Sequence, residues 1–172
     1  DKNGQIVTTA VTNMDIHDIA RSARTFGVRR FFVVTPVRAL RALAERIIEH
    51  WLTGHGSTYN ATRKDALTLV GLEPDLDAVL LNVERETGRR PVVVITSARP
   101  GGAPVRFGDL RQRLETDEAP YLLLFGTGWG LAPEVIERGD LRLEPICGIS
   151  DYNPLSVRAA AAIVLDRLCG AR

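Results

Sequence analysis

The clearest ligand-binding candidate in the sequence is a glycine-rich segment, Phe125-Gly-Thr-Gly-Trp-Gly-Leu131, which follows an apolar run. Glycines after a strand let a ligand approach the backbone closely. The spacing does not match the dinucleotide-binding GxGxxG loop, because Leu131 replaces the third glycine and that loop normally follows the first strand of its domain. The sequence also lacks a GxxxxGK[ST] phosphate loop. A tight turn that binds nothing is the alternative to a ligand loop here.

A second candidate lies near the carboxyl end, where residues 145–158 read Pro-Ile-Cys-Gly-Ile-Ser-Asp-Tyr-Asn-Pro-Leu-Ser-Val-Arg. Four consecutive alanines follow, and their small side chains allow another backbone or a partner subunit to come close. Asn153 and Ser156 are both suitable helix N-cap residues. Either one could equally contact a ligand, and the residue types alone do not separate the two roles.

The third candidate, residues 13–28, predicts an amphipathic helix that ends near Gly27. Arg21 and Arg24 lie away from its apolar face. Asp15 lies near the start of the helix, where the macrodipole favours a carboxylate. Asp15 and the two arginines could therefore take part in catalysis or binding. The alternative is that they form an ordinary solvent-exposed face of the helix.

Short apolar runs alternate with helical patterns along the whole chain. The predicted strands cover residues 5–11, 31–35, 67–70, 91–96, 121–125 and 141–143. The predicted helices cover residues 15–26, 37–52, 76–86, 109–115, a stretch that starts near 133, and 154–168. This alternation predicts one α/β domain over residues 1–172, a largely parallel sheet with helices on both faces. Ligands bind such sheets at the carboxyl ends of the strands, so we expect a site at the loops after Thr96, Phe125 and Leu143.

The basic residues, 20 arginines and two lysines, are unevenly distributed although the formal net charge is only +1. Residues 1–113 carry a charge of +5 and residues 114–172 a charge of −4. Residues 21–64 alone hold nine basic side chains and two acids. Codon bias explains why the bases are arginines, but it would raise arginine everywhere. The separation favours a surface that binds the phosphates of a nucleic acid.

Composition and spacing also exclude several classes of site. We expect no metal site, because His17, His50 and His55 have no metal-ligand spacing and neither do Cys147 and Cys169. The histidines are expected at the surface or in helix caps. No apolar run reaches the roughly 18 residues of a membrane span, and the polar start lacks the apolar region of a signal peptide. The sequence therefore predicts a cytoplasmic protein without a membrane partner.

Taken in order, the three candidate segments resemble the three motifs of the SPOUT superfamily, the α/β-knot RNA methyltransferases that use S-adenosylmethionine. The chain is most similar to a small, single-domain bacterial group of SAM-dependent RNA methyltransferases. Asp-Ile-His-Asp-Ile-Ala-Arg recurs in that group, as at residues 15–21 here, and so does Tyr-Asn-x-Leu-Ser-Val-Arg, as at 152–158. The resemblance runs from Thr8 to Leu168.

The resemblance implies a deep trefoil knot at the carboxyl-terminal end and a bent S-adenosylmethionine held by three loops. Leu155 and Ser156 would line the adenine, and Asn153 would hold its loop. The cofactor-binding residues that the resemblance implies are Thr96, Gly126, Gly128, Ile146, Gly148, Asn153, Leu155 and Ser156.

The resemblance also implies a homodimer in which the partner's first motif completes each active site. Arg21 matches the family's motif arginine and is expected to orient an RNA phosphate or the reacting nucleotide. Asp15 stands where ribose-methylating members usually have Asn, and Gly128 lies near their usual Glu, so a base is favoured over the ribose 2′-hydroxyl. Asp15 or Asp151 would then assist loss of a ring proton, and the choice between these carboxylates is open.

RNA contacts are expected from basic residues of the first half of the chain, namely Arg24, Arg29, Arg30, Arg63 and Lys64. They would contact the backbone of a structured RNA, tRNA or rRNA, and fix its register rather than read its sequence. Two alternatives belong to other classes. One is a noncatalytic RNA-binding or assembly factor that keeps the knot fold, and the other is a nucleotide-binding protein of Rossmann type, which Leu131 disfavours.

Overall fold

Every strand pair is parallel among residues 1–99, 101–150 and 152–171, which are the residues that this computed structural model describes. The chain divides into two compact units, Thr8–Val79 and Asp1–Val7 with Leu80–Arg172. Helix α5 (Leu76–Thr87) begins in the first unit and ends in the second.

The unit Thr8–Val79 contains two strands and four complete helices within its described residues. They are α1 (Asn13–Thr25), β1 (Phe31–Val34), α2 (Arg38–Leu52), α3 (Gly56–Tyr59), α4 (Ala61–Leu67) and β2 (Val70–Glu73). Strands β1 and β2 pair in parallel with Phe31 opposite Val70. The apolar stripe of α1, with Ile16 and Ala20 fully buried, packs into a core shared with α2 and α4.

The unit that contains Leu80–Arg172 has a three-stranded sheet of order β4-β3-β5. Its elements after α5 are β3 (Val92–Ile95), α6 (Phe107–Thr116), β4 (Tyr121–Leu124), α7 (Pro133–Ile136), β5 (Leu141–Arg142) and α8 (Val157–Cys169). The central strand β3 is the most apolar, and Val93, Val94 and Ile95 are at most 1% exposed. Helices α6 and α8 pack together over the sheet core through Leu110, Val164 and other apolar side chains.

The prediction of an α/β fold with parallel strands is confirmed. The described strands form two ladders, one of two strands and one of three. Apolar runs identify strands, yet they carry no information on which strands pair. No helix among the described residues is long and apolar enough to cross a membrane.

Two predicted strands are corrected. Residues 5–11 form no strand, and Ile6 and Val7 are 64% and 46% exposed. Ile6 and Val7 belong to no strand pair among the described residues, and an unpaired strand is not stable. The strand expected at residues 67–70 begins only at Val70, because buried Leu67 is the last residue of α4 and packs into the core from that helix.

Candidate functional site

The three parallel strands β4, β3 and β5 end side by side at one edge of their sheet. Ile95 lies opposite Leu124 on one side and opposite Arg142 on the other. The residues that follow these strand ends are therefore neighbours, and the Leu143 amide donates a hydrogen bond to the Ile95 carbonyl at 2.9 Å. We call this edge, with the loops that leave it, the carboxyl edge. The three loops predicted to form the ligand site, after Thr96, Phe125 and Leu143, all leave this edge.

Thr96 joins the first two of these loops. Its backbone amide and its Oγ1 hydroxyl both donate to the carbonyl of Leu124, at 3.1 Å and 2.7 Å. The hydroxyl therefore fixes the β3 loop against the β4 loop, and it is half-buried where the two meet.

The glycine segment after β4 folds tightly on itself. A side chain at Gly126 would place its Cβ 2.5 Å from the Leu131 amide nitrogen and closer still to Gly130. Gly128 and Gly130 have φ values of +55° and +93°, which favour glycine. The loop is thus a tight turn, and Gly126 is required there by the loop's own backbone. Trp129 at its tip is 58% exposed.

The third loop, residues 145–156, is tied to the first by a side chain. The Asn153 amide Nδ2 donates to the Ala98 carbonyl at 3.1 Å. Ser156 is the N-cap of α8, and its Oγ accepts a hydrogen bond from the Ala159 amide at 3.2 Å. Ile146 is half-buried against the sheet core.

Two further residues of this loop are open to solvent. A Cβ at Gly148 would meet nothing closer than the Tyr152 carbonyl oxygen at 4.0 Å, and Leu155 is 44% exposed. Asp151, the second candidate carboxylate, lies outside the described residues.

The residues at the carboxyl edge fit an adenosine-bearing ligand. Apolar side chains are exposed there at Trp129, Ile149, Tyr152 and Leu155. Such side chains can cover the faces of an adenine, while backbone groups of glycine-containing loops can approach it closely. Thr96, Gly126, Gly128, Ile146, Gly148, Asn153, Leu155 and Ser156 all lie in the three loops that leave this edge or at their ends.

A cavity of about 420 Å³ opens at the opposite, amino-terminal edge of the same sheet. Its lining includes charges of both signs, from Arg90, Arg113, Asp117 and Asp140. Burial and a hydrogen bond to Asp117 raise the pKa of Tyr121 there. Ligands of parallel sheets bind at the carboxyl ends of strands, which lie at the other edge.

Helix α1, in the unit Thr8–Val79, carries the two residues predicted to be catalytic. The Asp15 carboxylate closes a capping box, because Oδ2 accepts from the Thr12 amide and hydroxyl while Thr12 Oγ1 accepts from the Asp15 amide. Arg21 is exposed. Six positions separate Asp15 from Arg21, which is about 9 Å along the axis and about 120° around it. The two side chains therefore leave the helix in different directions.

The residues predicted to contact RNA fall into two groups. Arg29, Arg30 and Lys64 are exposed. Arg24 instead forms an ion pair through Nε with Asp65 at 2.7 Å, with both side chains about half exposed. Arg63 is half-buried and lies 4.6 Å above the ring of a tryptophan, Trp51.

The expectation that His17 is a surface or capping histidine is wrong. Its side chain is buried on α1 and lies edge-on to Trp51, with ring centroids 5.3 Å apart. Burial, reinforced by the Arg63 guanidinium, lowers the pKa of His17 from its ordinary 6.5. The available signal was its position beside Ile16 and three residues before Ala20, within the apolar stripe. Among the described residues no three His, Cys, Asp or Glu side chains come together as a metal site.

Comparison with known proteins identifies the family. A family model described as SAM-dependent RNA methyltransferase matches residues 1–170. The chain belongs to the SAM-dependent RNA methyltransferases. This membership confirms the predicted enzyme class and its methyl donor, S-adenosylmethionine.

The methyltransferase is similar to two proteins that are both longer than this chain. It is 43% identical over 168 residues to an uncharacterized protein of Aquifex aeolicus, covering 98% of this chain and 82% of that protein. It is 43% identical over 170 residues to the "tRNA (guanine-N(1)-)-methyltransferase" of Oleidesulfovibrio alaskensis, covering 99% of this chain and 39% of that protein. The chain thus spans about two fifths of the length of this second relative.

A solved structure shows the same fold. The SpoU methyltransferase AviRb from Streptomyces viridochromogenes, in complex with the cofactor AdoMet, aligns with a TM-score of 0.58 at 19% identity. The alignment covers 93% of this chain and 56% of that one. At this level of identity the similarity establishes the fold of the methyltransferase and not its RNA substrate.

Proposed function

We propose that this methyltransferase transfers a methyl group from S-adenosylmethionine to a base of a structured RNA, with tRNA as the first candidate substrate and rRNA as the second. One observation carries the proposal. The carboxyl edge brings together three loops, and the Asn153 to Ala98 hydrogen bond ties two of them. The name of the Oleidesulfovibrio relative supports a tRNA base, but more than half of that protein lies outside the match.

The proposed mechanism depends mainly on positioning. S-adenosylmethionine, when bound, supplies a methyl group that is already activated. The loops at the carboxyl edge would bind its adenosine, with Leu155 beside the adenine and Asn153 holding the loop. Placing the acceptor in line with the methyl group would then supply most of the acceleration.

Arg21 would bind an RNA phosphate or orient the reacting nucleotide. A carboxylate, Asp15 or Asp151, would accept a ring proton from the base. Thr12 donates two hydrogen bonds to Oδ2, so the same carboxylate would serve both the capping box and the proton transfer. The absence of the usual Asn at position 15 favours base over ribose methylation.

The remaining features of the proposal concern assembly. We expect one SPOUT domain with a carboxyl-terminal trefoil knot, acting in the cytoplasm, where its RNA substrate is found. Two copies would form a homodimer in which Arg21 serves the partner's cofactor site. Ile149 and Tyr152, both exposed on the third loop, support such an interface, because exposed apolar side chains that lie together mark protein–protein interaction sites.

The test is methylation of purified tRNA and rRNA from a strain without the protein, using labelled S-adenosylmethionine. Digestion to nucleosides and mass analysis identify the product, and resistance of one linkage to alkali would reveal a 2′-O-methyl group. We expect an alkali-labile linkage and a methylated base. An alkali-resistant linkage contradicts base methylation, and no incorporation into either RNA contradicts the proposal.

Arg21→Ala tests the first motif in the same assay, with Arg38→Ala as its control. Both are exposed arginines of helices in the unit Thr8–Val79. We expect Arg21→Ala to lose methyl transfer and keep its affinity for S-adenosylmethionine, while Arg38→Ala keeps both within a small factor. An Arg21→Ala variant as active as Arg38→Ala rejects the role assigned to Arg21.

A further inference from the structure

A cavity in the unit Thr8–Val79 lies beside Trp51 and is used by no step proposed above. Its volume is about 230 Å³. The lining residues, from the start of α1 and the end of α2, are Asn13, Arg46, Ile47, His50 and Trp51. Drug-sized ligands occupy roughly 300–1,000 Å³. This Trp51 pocket therefore suits one planar ring system and is too small for a whole S-adenosylmethionine.

The indole of Trp51 is held by three elements. Arg63 from α4 lies 4.6 Å from the ring centroid, and His17 from α1 meets the ring edge-on at 84°. A Cβ on Gly56 in α3 would lie 2.7 Å from Trp51 Cε3, so that backbone packs directly on the ring. The ring is fixed before any ligand binds, and its remaining surface lines the pocket.

Two nitrogens beside the indole have no hydrogen-bond partner within the described chain. They are Nδ1 of His17, whose side chain is only 9% exposed, and Nε of Arg63. Buried nitrogens without partners are unfavourable and call for an explanation. Neither group lines the pocket; both are buried by the packing that fixes the indole.

The charges around the pocket match a nucleic acid. Arg46 and His50 are exposed at the rim, and residues 21–64 carry nine basic side chains against two acids. Proteins recognise single-stranded RNA by stacking its bases on aromatic rings and arginine planes while basic side chains contact the phosphates. The Trp51 pocket offers an aromatic ring, an exposed imidazole and an arginine within six residues of α2.

We propose that the Trp51 pocket binds one unstacked base of the RNA substrate, with Arg46 contacting its phosphate. The inference rests on the proposed function, since it takes the ligand to be RNA. It adds a second contact point, on a different unit from the carboxyl edge, where RNA is held by stacking and not by charge alone.

Tryptophan fluorescence tests the stacking directly, because the chain has only two tryptophans. The variant Trp129→Phe leaves Trp51 as the single reporter. We expect a short single-stranded oligoribonucleotide to quench Trp51 emission and inorganic polyphosphate to bind without quenching it. Binding of the oligoribonucleotide with unchanged emission, or equal quenching by polyphosphate, overturns the proposal.

Substitutions at the rim give a second test that leaves the core intact. Arg46→Ala and Arg38→Ala remove the same charge from exposed positions of the same helix. We expect Arg46→Ala to weaken oligoribonucleotide binding about tenfold more than Arg38→Ala, with a salt slope lower by about 0.7 for the lost contact to a single-strand phosphate. Equal losses in the two variants reject a pocket at Arg46.

Replacing the ring itself should have the largest effect. We expect Trp51→Leu to weaken binding on the order of 5- to 150-fold, the range measured for one stacked base, and Trp51→Phe to retain most of it. If Trp51→Leu does not fold, His50→Ala provides the comparison, because His50 is exposed and lies 5.5 Å from the indole. Full binding by the foldable variant contradicts the proposal.

Methyl transfer by the unsubstituted protein, measured beside the fluorescence titration, separates this inference from the proposed function. Transfer to RNA without any response of Trp51 rejects the pocket and keeps the reaction. Quenching of Trp51 by RNA without transfer keeps the pocket and rejects the reaction.

Discussion

A substitution at Gly148 should change cofactor affinity and the stability of the fold in opposite directions. A Cβ placed there meets only the Tyr152 carbonyl oxygen, at an ordinary contact distance of 4.0 Å. Its backbone is outside the left-handed region, which six other glycines occupy in the described chain. Gly148→Ala should therefore stabilise the fold by about 0.4–1 kcal/mol, since alanine restricts the unfolded chain.

The same methyl group should impair the cofactor site. If S-adenosylmethionine lies against the backbone at Gly148, the added carbon must displace it or the loop. Inserting a carbon into a packed contact costs about 1–3 kcal/mol, which corresponds to roughly a 5- to 150-fold rise in Kd. Gly148→Ala is thus expected to bind cofactor more weakly while it unfolds at higher denaturant concentration.

Two other glycines serve as matched controls. Gly126→Ala should lower both the cofactor affinity and the stability of the fold, because its Cβ would lie 2.5 Å from the backbone nitrogen of Leu131. Gly108→Ala, in helix α6 with nothing within 4 Å, should stabilise the chain by about 0.5–1 kcal/mol and leave cofactor binding unchanged.

The assay is isothermal titration with S-adenosylhomocysteine, combined with urea unfolding of the same samples. A Gly148→Ala variant that binds as tightly as the wild type would refute the placement of the cofactor against this loop. Equal weakening in Gly108→Ala would show that the titration reports general stability and not the site.

Three further substitutions test particular contacts. Asp15→Ala should lower the free energy of unfolding by about 0.5–2 kcal/mol through loss of the capping box. If Asp15 is also the base, Asp15→Asn should fold and lose methyl transfer. An active Asp15→Asn variant would leave Asp15 only its capping role. Because burial lowers the pKa of His17, the unfolded chain binds the proton more readily than the folded chain. The free energy of unfolding should therefore be highest above pH 6.5 and fall below that pH, by at most about 1.4 kcal/mol per pH unit. Urea unfolding of His17→Gln on both sides of pH 6.5 should show a smaller fall, and a fall equal to that of the wild type contradicts this assignment. Gly56→Ala should shift Trp51 and lower stability by about 1–3 kcal/mol, which thermal unfolding measures, and an unchanged melting temperature contradicts the close packing.

Much of the fold was predictable where apolar residues repeat with helical spacing or form unbroken runs. Helices α2 and α5 begin and end within one or two residues of the prediction, and β3 lies inside the predicted run 91–96. The strand predicted at residues 5–11 does not form, and helix α4 was not predicted. Both errors have the same cause. A strand needs a pairing partner and a short helix needs a core, and local residue types report neither.

The site was predictable to the extent that it follows from parallel strands. Loops after β3, β4 and β5 must meet at one edge when all three strands are parallel, and they do. The environment of Trp51 was not predictable, because His17 and Arg63 reach it from helices far apart in the sequence. Neither residue belongs to a sequence motif that predicts contact with Trp51. In the sequence, Arg63 could not be distinguished from the other basic residues of the segment 21–64.

The most direct test of the cofactor assignment is an amide NMR titration of the labelled protein with S-adenosylhomocysteine. We expect shifts at the carboxyl edge, at Thr96, Gly126 and Gly148. Shifts confined to the opposite edge of the sheet, at Val92 and Leu141 beside the larger cavity, would contradict this assignment.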